Sequence, residues 1–164
     1  MNRLASFISI LSAAFLLGCG AQEKASKTPH AMGERVQVGP LVYTVLEADW
    51  ENELGDGANA RIPKNRFLVI RLSVQNAGSK ELTLPLLTLE DDKRQETLEL
   101  DNGQGVEDWM GLLRHVTPAN TIQGRIVFDV PVAPYQLRLT DAAELENERT
   151  AYVSIPLKLG SPGQ

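Results

Sequence analysis

The sequence predicts an all-β fold, a two-sheet antiparallel sandwich of about seven strands. Three observations predict it. From Arg35 onward apolar residues recur with a period of two, the runs are separated by Gly, Pro and Asn turn residues, and only one segment has a helical period. The chain has one cysteine in 164 residues, so no internal disulfide forms and core packing alone holds the domain.

Val36 and Val38 flank Gln37, and Gly39-Pro40 turns the chain into Leu41 to Trp50, which is rich in β-branched and aromatic residues. A polar stretch from Glu51 to Asn65 leads to Arg66 to Val74. There Leu68, Ile70, Leu72 and Val74 point one way while Arg71 and Ser73 point the other. Asn76-Ala77-Gly78-Ser79 is a turn. Leu82 to Leu89 is one extended run, and Pro85, which has no N–H to give, predicts an edge or bulged strand. A weaker strand is expected over Gln95 to Leu100. Thr121 to Val130 sets Ile126, Phe128 and Val130 against Arg125 and Asp129, and Pro131 stops it. Tyr135, Leu137 and Leu139 alternate with polar residues, and Val153, Ile155 and Leu157 share the last apolar face.

Val106, Trp109, Met110 and Leu113 fall at i, i+3, i+4 and i+7, which predicts one short helical segment between strands. Glu107 and Asp108 sit in its first turn, where the helix dipole favours acids, and Gly111 weakens it. Such a stripe either plugs one end of the sandwich or docks a partner; Trp109, Met110 and Leu113 are the candidate interaction residues.

The first segment is of another kind. Met1-Asn2-Arg3 precedes a nearly unbroken apolar run from Leu4 to Leu17, then Gly18-Cys19-Gly20. A basic start, an apolar stretch of roughly 7–15 residues and a small residue before the cut define an export leader. The run is shorter than the roughly 20 residues a helix needs to cross a bilayer. Leu16-Leu17-Gly18-Cys19 resembles the bacterial lipobox. That resemblance implies a diacylglycerol on the Cys19 thiol, acylation of the palmitate kind, and cleavage that leaves Cys19 as the new N-terminus. Acylation also disposes of a lone thiol that would be a liability in an oxidising compartment. Gly20, rather than Asp, follows the cysteine; by resemblance to diderm sorting rules this implies the outer membrane facing the periplasm, where the host has one.

The expected organisation is a signal peptide over 1–18, an acylated cysteine with a flexible tether over 19–34, the sandwich over 35–157 and a tail over 158–164. Residues 20–34 are small, polar and mixed in charge, a composition that cannot offset the entropy of ordering. His30 lies in that tether and reads as a solvated linker residue. The net charge of −5 becomes more negative once Arg3 is removed with the leader. Nucleic acid requires a basic face and is excluded as a partner. Acidic protein also adheres poorly to anionic lipid, so the membrane contact is expected through the N-terminal lipid.

The domain resembles a bacterial family of unknown function with an immunoglobulin-like sandwich, found in lipoproteins and secreted proteins and similar in fold to a small secreted mycobacterial antigen. The residues that carry this are Val38-Gly39, Tyr43-Thr44-Val45, Trp50, the run Asn65 to Arg71 leading into Val74 to Gly78, Leu86 to Leu89 before Asp91-Asp92, and Pro118 ahead of Gly124 to Pro131. The resemblance covers most of the chain after the leader. It implies a fold and a location and carries over no catalytic or binding residue.

A nucleophile needs a base within reach. His115 is the only histidine in the domain, it follows the expected helix as a cap for free carbonyls, and no Gly-x-Ser-x-Gly elbow exists. Zinc and copper need clustered His and Cys, which are lacking. Calcium needs only oxygens; Asp101 and Asp108 in one loop, with Asp91 and Asp92 in another, are weak candidates that read equally as turn chemistry. Gly103-x-Gly105 lacks the third glycine and the lysine of a phosphate cradle. No catalytic residue and no cofactor is expected. The expected role is a non-enzymatic module that binds or supports another cell-envelope component. A calcium or small-ligand carrier and an unrecognised hydrolase are the alternatives, and the oligomeric state is open.

Overall fold

A computed structural model describes residues 28–143 and 146–157. Ten strands are found among them: β1 Arg35–Val38, β2 Leu41–Glu51, β3 Arg66–Asn76, β4 Leu82–Leu84, β5 Thr88–Glu90, β6 Glu96–Leu98, β7 Arg114–Val116, β8 Thr121–Val130, β9 Tyr135–Thr140 and β10 Thr150–Ile155. Every pair of strands is antiparallel, and the fold is the all-β sandwich expected. One sheet runs β1-β2-β3-β8, the facing sheet β10-β9-β5-β6, and β4 with β7 forms a small third pair at the side.

Period-two alternation builds the core. Leu68, Ile70, Leu72 and Val74 of β3 are fully buried, as are Ile126 and Phe128 of β8, and they meet Leu89, Leu137, Leu139, Val153 and Ile155 of the facing sheet. Each such side chain contributes about 1.5–3 kcal/mol by leaving water. In β2 a bulge between Val45 and Glu47 shifts the parity, so Leu41, Tyr43 and Val45 point inward before it and Ala48 and Trp50 after it. Val127, Phe67 and Val69 point to the other face of the first sheet and are buried too, because Leu54, Leu100 and Val106 cover them.

Four expectations need correcting. Leu82 to Leu89 is not one edge strand: β4 pairs with β7, β5 pairs with β6 and β9, and Pro85 to Leu87 carries the chain between the two pairings. No helix forms over Val106 to Leu113, and the one helical turn among the described residues is 3-10, at Gly57–Asn59. Asp108 and Gly111 have φ of 52° and 73°, which an α-helix excludes. Leu157 is 39% exposed, off the buried face of β10. Lastly, the chain is already engaged before residue 35. His30 donates its N–H to the Tyr152 carbonyl and accepts from Ser154, beside β10, and Gly33 donates to Val45. That strap ties β10 of one sheet to β2 of the other.

Tyr43 is fully buried, and its hydroxyl donates to the Thr140 carbonyl at 2.5 Å across the two sheets. Burial, aided by the nearby Asp141 carboxylate, raises the phenol far above its usual pKa of 10.0. The folded chain therefore keeps this proton at pH values where the unfolded chain loses it. Its stabilising contribution is complete below pH 10 and declines above it, by about 1.4 kcal/mol per pH unit. Tyr43→Phe is expected to cost about 1–3 kcal/mol at pH 7, because the Thr140 carbonyl is left buried without its donor. The variant should also lose stability less steeply than the parent between pH 10 and 11 in urea titrations. Equal slopes for the two proteins would refute the assignment.

Candidate functional site

Between β6 and β7 the chain runs as a long irregular loop along the outer edge of β8. A bare strand edge leaves backbone groups unpaired. Here Leu100 donates to Val127, Met110 donates to Arg125, and Arg125 donates to Asp108. Trp109 lies beside Arg125 as an isolated parallel bridge. Two glycines permit the close approach. A Cβ on Gly103 would lie 2.0 Å from the Trp109 ring, and one on Gly124 would lie 2.6 Å from the Asp108 carbonyl oxygen.

A buried ion pair fixes the two ends of this loop. Arg114 and Glu99 have fully buried side chains and join through both guanidinium NH groups and both carboxylate oxygens. Arg114 also donates its Nε–H to the Gly111 carbonyl at 2.7 Å, and Glu99 accepts the Leu87 N–H at 2.8 Å. The pair thus ties together the Pro85–Leu87 crossing, the exit of β6 and the entry to β7. Burying two charges is unfavourable unless their geometry and remaining hydrogen bonds are well met, and here they are. Sequence reasoning missed both residues. In the period-two reading of Arg114-His115-Val116, the position of Arg114 shares the inward face with Val116, and that was the available signal.

The expected interaction residues separate. Trp109 and Met110 are half-buried against β8, whereas Leu113 is 81% exposed and Leu112 stands exposed beside it. The apolar tip is therefore Leu112-Leu113, following the positive-φ Gly111. Cys19 lies outside the described residues.

The calcium candidates do not come together. Asp91 Oδ1 accepts the N–H groups of Lys93 and Gln95 in the β5–β6 turn, and Asp92 is exposed. Asp108 lies 3.6 Å from the Arg125 guanidinium, and Asp101 is exposed in the β8-edge loop. Among the described residues no three His, Cys, Asp or Glu side chains converge in a manner able to hold a metal.

His115 is not a helix cap, since no helix precedes it. It stands half-exposed on β7, with Thr83 Oγ1 at 3.2 Å and Glu81 Oε1 at 3.6 Å. Both contacts fall on Nδ1. A catalytic imidazole takes its orienting acid on one nitrogen and its nucleophile on the other, and this arrangement does not. A cleft of about 320 Å³ lies near Thr83 and Pro85. Its lining includes Arg138, which is ion-paired with Glu148, and Glu148 accepts the Thr140 hydroxyl at 2.6 Å.

The model of the domain of unknown function DUF4352 matches residues 30–148, well over half of the chain. The chain belongs to this family. The span matched by the DUF4352 domain begins at His30, where the strap meets β10. The fold is similar to that of the yjhA protein of Bacillus subtilis, at 16% identity over 76% of this chain and 98% of that one, with a TM-score of 0.55. It is also similar to a functionally unknown protein of Listeria monocytogenes, at 10% identity over 81% and 87%, TM-score 0.56. A conserved hypothetical protein of Bacillus anthracis is similar at 12% over 66% and 87%, TM-score 0.51. At these identities the likeness concerns the fold alone. No curated protein matches the chain.

Proposed function

We propose that this DUF4352 chain is a lipid-anchored, non-enzymatic module of the bacterial envelope that binds or supports another envelope component. The observation that carries the reading is Leu16-Leu17-Gly18-Cys19 placed directly after the apolar core of an export leader, in a chain with no other cysteine. Two or more acyl chains on one residue give a stable anchor where one gives only reversible binding. A sandwich whose core closes without a disulfide suits that setting, and the Leu112-Leu113 tip offers an apolar contact.

The test is Cys19→Ser, expressed in a bacterial host fed labelled palmitate. The parent should carry the label and sediment with membranes; the variant should carry none and keep the uncut leader. Label retained by the variant, or a parent without label, would overturn the anchor.

A further inference from the structure

We infer that the sandwich stands on the lipid surface by the end that carries the Gly39-Pro40 turn. The opposite end, at Glu51, then faces the aqueous side. This rests on the lipid anchor proposed above and adds the orientation that the anchor imposes.

Strand directions define the two ends. β2 starts at Leu41 and ends at Glu51, and β3 pairs with it in reverse, from Phe67 opposite Glu51 to Asn76 opposite Leu41. At the Leu41 end a Cβ on Gly39 would touch Asp141 at 2.7 Å and one on Gly78 would touch Pro40 at 2.9 Å. The β1–β2 turn, the turn after β3 and the start of the β9–β10 connection therefore share that end.

The N-terminal strap fixes where the anchor enters. His30 pairs with Val153 in parallel, so the chain before it runs back toward the Thr150 end of β10, which is paired to Thr140 and lies beside Asp141. Glu34 donates to Ala31 and Gly33 to Val45, which sets the strap's turn level with the middle of β2. Thr28 precedes that turn by about 10 Å of extended chain and so stands near the Leu41 level, with the Glu51 end about 30 Å further on.

Nine peptide units join Cys19 to Thr28. Whatever their conformation they reach no more than about 30–32 Å. Setting the Glu51 end on the bilayer would require the whole of that reach, held taut along the membrane normal. With the Leu41 end down no such extension is needed.

The lateral arrangement follows from strand order. The strap lies against β10, the outer strand of its sheet on the same side as β1, whereas the loop bearing Leu112 and Leu113 follows β8 at the opposite side. Charge acts in the same direction. A cleft of about 300 Å³ near the Glu51 end is lined by Asp49, Glu51, Glu53 and Glu107 against Arg125, a surface that anionic headgroups repel. Leu113 stands three residues before Val116, whose carbonyl accepts the Asn76 amide at the Leu41 end, so the apolar tip lies on the half of the sandwich nearer the bilayer.

The test uses the full lipidated protein in vesicles of phosphatidylethanolamine and phosphatidylglycerol doped with a headgroup-nitroxide lipid. Because Cys19 is acylated, one introduced thiol takes the fluorophore: Ser79→Cys at the Leu41 end, or Asp56→Cys or Asp92→Cys at the other. All three positions are exposed. The Ser79 label should be quenched severalfold more strongly than the other two. Inserting about fifteen Gly/Ser residues after Gly20 should abolish the difference, because the tether then no longer restricts the domain. Equal quenching with the native tether, or stronger quenching at Asp56 or Asp92, would overturn the orientation while leaving the anchor intact. Failure of the parent to float with the vesicles would overturn the anchor itself.

Discussion

Glu99→Ala is expected to lower stability by about 3–5 kcal/mol and the melting temperature by roughly 10–20 °C. The carboxylate it removes is fully buried, accepts both guanidinium arms of Arg114 and holds the Leu87 N–H at 2.8 Å. Without it a guanidinium remains inside the protein with no counter-charge, held by the Gly111 carbonyl and a 3.5 Å contact to Pro85 O. The loss of the pair is therefore far smaller when both partners go. Glu99→Leu combined with Arg114→Met should recover most of the stability, since apolar groups of similar volume replace buried pairs at little cost. Recovery should fall short of the parent by about 1–2 kcal/mol, because the Leu87 N–H and Gly111 carbonyl lose their partners. Urea titration of the parent, the single variant and the double variant measures all three. A single variant within 1 kcal/mol of the parent would mean that the pair is solvated rather than buried.

That pair also shows where sequence reasoning stops. The alternation of β3, β8 and β9 was legible because each strand carries its own inward face: Leu68, Ile70, Leu72 and Val74 need only their spacing to be recognised. The partnership of Glu99 with Arg114 is a property of three chain segments that meet only after folding. Likewise Pro85 announced an interrupted strand, but its two halves joining different sheets depended on β7 and β9, far along the chain.

The stripe of Val106, Trp109, Met110 and Leu113 fitted a helix by spacing, yet its backbone is used to cover the edge of β8. Four apolar residues can meet a helical template in a loop whose side chains are buried for other reasons. Gly103, Gly105 and Gly111 were the local warning, since glycine at that density opposes helix. At the N-terminus composition pointed to a free tether through Glu34, whereas two backbone hydrogen bonds from His30 to β10 secure it, and no composition argument sees those. The candidate site fared least well. Of Trp109, Met110 and Leu113 only the last is exposed, because the residues nearest the strand edge were drawn inward with it.

Gly105→Ala is expected to be the most damaging change in that loop, at about 3–4 kcal/mol, whereas Gly111→Ala should cost only about 1–2 kcal/mol. Both glycines have positive φ, +80° and +73°, so any L residue is strained at either place by a similar amount. Their surroundings differ. A Cβ on Gly111 meets nothing within 4 Å, while one on Gly105 would lie 2.5 Å from the Gly55 nitrogen and 2.6 Å from the Leu54 carbonyl carbon. Those are backbone atoms, and neither segment can retreat. Leu54 and Arg61 exchange two backbone hydrogen bonds, and the Arg61 guanidinium binds the Asn102 and Gln104 carbonyls at 2.8 and 2.9 Å. Relief must therefore come from lifting the loop off β8, which would uncover Val127 and loosen Trp109 from above Gly103. The Gly105 variant should accordingly combine the stability loss with a red shift in tryptophan emission, and the Gly111 variant should show neither the shift nor the larger loss. Equal penalties at the two sites would mean that backbone strain alone governs the loop and that its seat against Leu54 contributes nothing.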